Sequence, residues 1–310
     1  PMSTFRIDQQ GGGDFSTIAQ ALRHCLLARE KAPVLRLGPG VWREKLTLRI
    51  PGLTLEGAGA EKTIIVWGDS ALMPDDAGVP LGTFRTATVR VHAPGVTLRN
   101  LTVRNDAGPG DRVAQAVALY LAGDRSYVEG CALEAQQDTL MMGPDTYNPR
   151  QVVPSGQRCA LRDCRIAGNI DFIFGSATAW IENCELALIS QRKPVNGWIT
   201  APNTPAGQAY GFVFRRCRIT GDVEPASFYL GRPWREHAKC LFLDTAFPAA
   251  IHPALWMDWE RPFRPVTAGL AVDRDPTGGR HPASGLLDGE TAAGITPQRV
   301  LGNWVPWLSL

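Results

Sequence analysis

A short pattern recurs along this chain, and it limits the possible folds more than any other property of the sequence. Four copies read VEGCAL, LRDCRI, IENCEL and FRRCRI, centred on Cys131, Cys164, Cys184 and Cys217. Apolar residues stand three positions before and two positions after each centre. Two further copies are Leu98-Leu101-Val103 and Phe242-Thr245-Phe247. A pattern repeated in this way indicates a solenoid, in which each repeat packs on its neighbours.

The residue just before each centre is usually of a type that tolerates a bend or a positive φ. These residues are Asn100, Gly130, Asp163, Asn183, Arg216 and Asp244. A strand, a bend and a second strand therefore form the repeated unit. The segments between units carry Gly, Pro, Asn and Asp rather than the amphipathic helices of a βαβ fold. We predict an all-β chain that forms a right-handed parallel β-helix, with one domain over residues 1–310.

The cysteines favour a packing role over a disulfide or metal role. There are seven, an odd number, and no two of them form a CxxC pair. A free cysteine behaves as a small apolar residue, so the four central cysteines predict a buried, reduced ladder. We expect no metal ion at these cysteines.

Both ends of a β-helix need a cover, because an open coil exposes unpaired strand edges. The segment STIAQALRHCLLA predicts a capping helix with one apolar stripe. The stripe consists of Ile18, Leu22, Cys25 and Leu26. Asp14 or Ser16 is available as its N-cap. The tail with Trp304 and Trp307 is expected to pack along the other end or the side of the coil.

The charge balance argues against two classes of partner. Lys and Arg total 32 against 30 for Asp and Glu, and a net charge of +2 gives no basic stripe to bind nucleic acid. No apolar run approaches the roughly 20 residues of a membrane span, and the first ten residues lack the apolar core of a signal peptide. We expect a cytoplasmic monomer, although a chain whose signal peptide had been removed would look the same and would be secreted or periplasmic.

Two carboxyl groups occupy equivalent places in the repeat. Asp138 follows Cys131 by seven residues, and Asp171 follows Cys164 by seven. On neighbouring coils they would lie about 4.8 Å apart along the axis. Asp171 stands in the apolar run GNIDFIFG, where a buried carboxylate needs a partner or a function. In a catalytic pair, one carboxyl group would have a raised pKa, and a nearby cation would lower the pKa of the other. Alternatively, the two residues would simply cap turns.

Four motifs in a fixed order carry a resemblance to a known family. They are QAVALY, QDTL, GNIDFIFG and LGRPW, and GVWREKL, TATV, WITAP and WMDW look like further pieces. Over residues 5–310 the chain resembles the pectin methylesterases. The resemblance implies a parallel β-helix with a shallow cleft, acting without metal or cofactor on methyl esters of homogalacturonan or oligogalacturonides.

The resemblance also implies roles for individual residues. Asp171 would be the nucleophile, and Asp138 would act as the acid and then as the base. Gln115 and Gln137 would donate to the oxyanion, and Arg232 of LGRPW would keep Asp171 ionised. The substrate-binding residues would be Trp234, Phe174, Tyr120 and, more weakly, Thr88.

Some features depart from the family or leave other functions open. Met141 stands where an aromatic residue is common, and the long segments 67–84 and 141–157 could rim or narrow the cleft. GDSAL at 68–72 resembles the start of a serine esterase, but no Asp is followed three residues later by His. A pectate lyase would need a carboxylate cluster for calcium. A non-catalytic glycan-binding β-helix and an esterase of a non-pectin substrate remain as alternatives.

Overall fold

The computed structural model describes residues 2–145, 154–259 and 269–308. Its strands form three parallel sheets, and successive strands along the chain pass from one sheet to the next. This is the predicted right-handed parallel β-helix. The first sheet contains β1 (Thr4–Ile7), β2 (Val34–Leu37), β5 (Thr54–Glu56), β8 (Thr97–Arg99), β11 (Ser126–Glu129), β14 (Arg158–Arg162), β17 (Thr178–Glu182), β20 (Phe212–Arg215), β23 (Cys240–Leu243), β24 (Leu270–Val272) and β25 (Gly285–Leu286).

The other two sheets complete each coil. The second sheet contains β3 (Gly40–Trp42), β6 (Thr63–Trp67), β9 (Thr102–Asn105), β12 (Ala132–Glu134), β15 (Arg165–Gly168), β18 (Glu185–Leu188) and β21 (Arg218–Thr220). The third sheet contains β4 (Leu46–Leu48), β7 (Val89–Val91), β10 (Leu119–Leu121), β13 (Leu140–Met142), β16 (Ile173–Gly175), β19 (Gly197–Pro202) and β22 (Phe228–Gly231).

The repeat read from the sequence matches the register of the coils. Leu98, Val128, Leu161, Ile181, Phe214 and Phe242 pair one after another across the first sheet. All six residues before the centres have φ between 48° and 60°. The four central cysteines are free and buried, and they line the interior as the pattern predicts. Two earlier coils, through Leu35 and Leu55, join the same ladder without the cysteine pattern.

The capping helix α1 spans Ile18–Leu27, and two details of its prediction are wrong. Its N-cap is Thr17, whose side chain accepts from the Gln20 amide, so neither Asp14 nor Ser16 caps it. Asp14 instead accepts from the backbone of Arg6. Leu26 is 48% exposed because it lies at the edge of the apolar stripe. The buried residues of the helix are Ile18, Ala21, Leu22 and Cys25.

The C-terminal segment covers the side of the coil. It contains α3 (Gly289–Ala293), α4 (Pro297–Leu301) and a 3-10 turn at Pro306–Leu308. A short helix, α2 (Gly110–Val113), and a 3-10 turn at Thr83–Arg85 lie earlier in the chain. Trp304 and Trp307 pack on the outer face of the first sheet, near Trp180. The described ranges hold no helix of the length and apolarity that crossing a bilayer would take.

Candidate active site

The two carboxyl residues meet at the start of neighbouring strands in the third sheet. Leu140 pairs with Ile173, and the Asp138 amide donates to the Ile170 carbonyl at 3.0 Å, so Asp138 and Asp171 occupy equivalent positions on successive coils. Both have positive φ, 63° and 49°. This backbone conformation turns each side chain as its strand begins, and a short polar residue such as Asp tolerates it. The sequence register therefore located the pair correctly.

The glycines that bound GNIDFIFG are required by close packing. A Cβ at Gly168 would lie 2.3 Å from the Cβ of Phe172, inside the turn that presents Asp171. Gly175 has φ of 125°, and a Cβ there would lie 2.1 Å from the Met142 carbonyl oxygen. The motif thus folds into a tight turn with Asp171 at its tip and Phe172 in the core.

Arg232 binds Asp171 through a bidentate contact. Its Nε donates to Oδ1 at 2.9 Å and its Nη2 donates to Oδ2 at 2.7 Å. Arg232 directly follows β22, and its backbone amide donates to the Thr200 carbonyl of β19 at 3.0 Å. Two parallel charge-assisted hydrogen bonds fix both the position and the plane of the carboxylate.

The guanidinium of Arg232 packs closely on two indole rings. Its Cζ is 3.6 Å from the ring centroid of Trp198 and 3.8 Å from that of Trp259. The Trp198 indole donates in turn to Sδ of Met257 at 3.1 Å. The cation that binds Asp171 is therefore itself in close contact with two aromatic rings.

The electrostatic environment separates the two carboxyl groups. Asp138 is 8% exposed and Asp171 is 7% exposed. Burial raises the pKa of Asp138 well above its usual value, and the neighbouring Asp171 raises it further. Burial also raises the pKa of Asp171, but the hydrogen bonds and charge of Arg232 offset part of this increase. The expected lowering of the Asp171 pKa is therefore wrong in direction, because its burial outweighs the cation, while Asp138 still holds a proton more strongly.

The two glutamines lie on the coil of Asp138 and on the coil before it. Gln137 directly precedes Asp138. Its side chain packs against Gly110, where an added Cβ would lie 2.3 Å from the Oε1 of Gln137. The amide of Ala116, next to Gln115, donates to the Gln137 carbonyl at 3.2 Å. Both glutamines are half-buried on adjacent coils beside Asp138. A side-chain amide placed there can donate to a negative oxygen without titrating.

Aromatic residues cover the outer face of the third sheet next to the carboxyl pair. Tyr120, Met141 and Phe174 pair in sequence across β10, β13 and β16. The ring of Phe174 is 6.0 Å from that of the half-buried Trp234. Tyr120 and Phe174 are almost fully buried in this cluster, so Trp234 offers more surface to a ligand than either of them. Met141 fills the space between the two rings.

Thr88 does not fit the predicted substrate contact. Its side chain is fully buried, and its hydroxyl donates to the carbonyl of Arg104 at 2.8 Å. The hydroxyl is therefore used inside the coil and offers no surface to a sugar.

The two long segments are described to different extents. Within 67–84, Phe84 lies 6.5 Å from the ring of Tyr120, so this segment reaches the aromatic cluster. Asp75 pairs there with Arg85, which lies just beyond the segment. Within 141–157, the Pro144 carbonyl accepts from the Tyr120 hydroxyl at 2.9 Å. Residues 146–153 lie outside the described residues, so the prediction that both segments rim the cleft stays a prediction.

Trp198 and Trp259 stand in the motifs WITAP and WMDW, but the sequence predicts no role for either ring. One signal was available, since WITAP occupies the coil that follows Asp171. The packing of both rings on Arg232 depends on residues 198, 232 and 259 meeting in space, and the spacing alone does not reveal this.

The sequence model of the pectinesterase family matches residues 5–270. Pectinesterase 2 of Citrus sinensis is 32% identical over 272 residues, covering 85% of this chain and 49% of that protein. Pectinesterase 31 of Arabidopsis thaliana is 31% identical over 261 residues, covering 82% of this chain and 76% of that protein. The chain thus spans about half the length of the citrus relative and about three quarters of the other.

Solved structures agree with these matches. A crystal structure of a pectin methylesterase in complex with a hexasaccharide superposes with a TM-score of 0.80 at 28% identity, over 99% of each chain. The family match, the identity to curated relatives and the shared fold lead to one conclusion: this chain belongs to the pectinesterase family.

Proposed function

We propose that this protein is a pectin methylesterase, which hydrolyses methyl esters of galacturonate residues and releases methanol. One observation carries the proposal. Asp171 is buried, bound on both oxygens by Arg232, and placed on the coil next to Asp138, whose raised pKa favours its protonated form. A charged nucleophile beside a neutral acid is the pair that ester cleavage with a methoxide leaving group needs.

In the first half of the reaction, Asp171 attacks the ester carbonyl carbon. The carbonyl oxygen becomes an oxyanion, to which the side-chain amides of Gln115 and Gln137 donate. The tetrahedral intermediate collapses as Asp138 gives its proton to the methoxide oxygen. Methanol leaves, and an anhydride joins Asp171 to the galacturonyl group.

In the second half, Asp138 is a carboxylate and acts as the base. It takes a proton from a water molecule, and the resulting hydroxide attacks the galacturonyl carbon. The anhydride bond breaks, Asp171 regains its negative charge, and Asp138 is again protonated. One ester and one water have become one acid and one methanol, and no step in this scheme calls for a metal ion or cofactor.

The aromatic cluster suits a sugar chain beside the carboxyl pair. Trp234 lies close to Arg232 in the chain and half-exposes a broad apolar ring. Such a face covers the apolar side of a pyranose, while Phe174 and Tyr120 support it from within the sheet. The solved relative that binds a hexasaccharide supports a substrate of this class. We propose methyl-esterified homogalacturonan or its oligomers as the substrate.

Methanol release from methyl-esterified oligogalacturonides, measured with a chelator present, tests this function. The wild type should release methanol, and Asp171→Ala and Asp138→Ala should each lose at least about a hundredfold in turnover. A wild type that binds these oligomers without releasing methanol would instead identify a glycan-binding protein. Unchanged turnover in both variants would refute the two-carboxyl mechanism even if the activity is present.

A further inference from the structure

We propose that Trp198 and Trp259 are positioning residues, which hold the Arg232 guanidinium in the plane that aims Asp171 at the ester carbon. The inference rests on the proposed function, since it assigns these two rings a part in the same reaction. Neither ring needs to contact the substrate for this role. They act through Arg232.

The stacking of Arg232 is closer than that of any other arginine on an aromatic ring in the described ranges. The guanidinium carbon lies 3.6 Å and 3.8 Å from the two indole centroids. Other such pairs span 4.7 to 5.9 Å, as in Arg90 over Tyr120 and Arg158 over Trp304. A guanidinium is attracted to an indole face, and the attraction grows when water is excluded. With two rings this close, the cation has little room to tilt.

This arrangement restrains the motion that matters for Asp171. Arg232 binds the carboxylate through Nε and Nη2, which lie on one edge of the planar guanidinium. Rotation out of this plane would break one of the two hydrogen bonds. Two rings packed this closely on the guanidinium would resist this rotation, so they favour the bidentate geometry over a single contact.

The rings are themselves attached to the coils that carry the reacting groups. The Trp198 amide donates at 3.0 Å to the carbonyl of Asn169, two residues before Asp171. Its indole donates to Met257, two residues before Trp259. Asp171, Arg232 and both rings are therefore connected through four neighbouring stretches of chain. A shift of either ring would be transmitted to Arg232.

The charged groups that act on the Asp171 carboxyl are Arg232, which favours its ionised form, and Asp138, which faces it from the preceding coil. Loss of a ring would let the guanidinium tilt and weaken the first of these effects. The proton affinity of Asp171 should then increase. Since an attacking carboxylate must be ionised, the acidic limb of the rate profile should move to higher pH.

The test uses Trp198→Leu and Trp259→Leu, which remove the aromatic face but keep an apolar side chain. Each should lower kcat about tenfold and move the acidic limb up by about one pH unit, with KM little changed. Trp198→Phe and Trp259→Phe, which keep an aromatic face, should recover most of both effects. Trp307→Leu is the matched control, because it removes a ring stacked on Arg162 at 4.8 Å far from the site, and it should leave both kcat and the profile unchanged.

A second measurement does not depend on activity. The carboxyl carbon of Asp171 is titrated by carbon-13 NMR in aspartate-labelled protein, with Asp171→Asn used to assign the signal. The pKa of Asp171 should rise in the two leucine variants and stay close to the wild-type value in Trp307→Leu. An unchanged titration overturns the inference, as does a raised KM with an unmoved acidic limb, which would make the rings sugar contacts. A wild type that releases no methanol refutes the proposed function, while the titration still decides the inference.

Discussion

Replacing Arg232 with lysine keeps a positive charge beside Asp171 but removes the planar fork that binds both of its oxygens. The arginine makes two hydrogen bonds to the carboxylate, at 2.9 and 2.7 Å. An ammonium group can keep one of them, and it cannot stack between the two indoles as a flat group does. A hydrogen bond to a charged group contributes about 1.5 to 3 kcal/mol. Since each 1.4 kcal/mol corresponds to about tenfold in rate, we expect kcat to fall roughly ten- to a hundredfold.

Arg232→Leu should behave differently, and the difference tests the reasoning. Without the cation, Asp171 would be a buried charge without its partner, a loss of about 3 to 5 kcal/mol. Asp171 responds by keeping its proton, so its pKa rises further. The acidic limb of kcat should therefore move far to higher pH in the leucine variant and only slightly in the lysine variant.

Methanol release is measured for both variants from pH 4 to 9 on one methyl-esterified oligogalacturonide. Arg162→Lys is the control, since Arg162 also stacks on an indole but lies on the outer face of the first sheet. It should retain wild-type rates throughout. Equal acidic limbs in Arg232→Leu and the wild type would refute the claim that Arg232 keeps Asp171 ionised.

Three further predictions concern the stability and packing of the fold. A carboxyl whose pKa is raised by folding stabilises the folded state below its unfolded pKa of about 4, and this contribution is lost as the pH rises through the folded pKa. Asp138→Asn should therefore gain stability relative to the wild type as the pH rises from 4 to 8. A difference in urea midpoint that does not change with pH would contradict the raised pKa of Asp138. Gly168→Ala should lower the free energy of unfolding by about 1 to 3 kcal/mol and reduce turnover, because the Cβ of the new alanine would overlap Phe172. A variant with the urea midpoint and the turnover of the wild type would show that the turn can relax. None of the seven cysteines should react with a thiol reagent in the native protein and all seven should react in denaturant, since every one is free and buried; fewer than seven after unfolding would indicate a disulfide.

Much of the fold was predictable because the repeat is local and regular. The apolar positions around Cys131 and its three equivalents determine which strands pair, and the six bend residues adopt the positive φ expected of them. Asp138 and Asp171 could be placed on neighbouring coils by counting from those cysteines. The earlier coils through Leu35 and Leu55 escaped detection, because their turns carry no cysteine and the pattern reduces to isolated apolar residues.

The parts that could not be predicted depend on contacts between distant residues or on competing effects. The indole rings on Arg232 come from separate coils, and no local pattern links them. Thr88 stands in a short motif, but only the folded chain shows its hydroxyl bonded to Arg104 inside the coil. Two opposed effects determine the pKa of Asp171: burial raises it and the Arg232 cation lowers it. The sequence indicates which residue is the cation, but it does not indicate how deeply Asp171 is buried.

The parallel pairing of β13 with β16 has a consequence for how this protein can be altered. The separation of Asp138 from Asp171 is the distance between two hydrogen-bonded strands, so it is independent of the length of the chain that joins them. New segments spliced between Gly143 and Arg158 would therefore leave this separation unchanged. Deleting one residue between Asp138 and Leu140 would instead carry Asp138 out of line with Asp171. The length of the intervening segment and the spacing of the two carboxyl groups can thus be altered separately in this architecture.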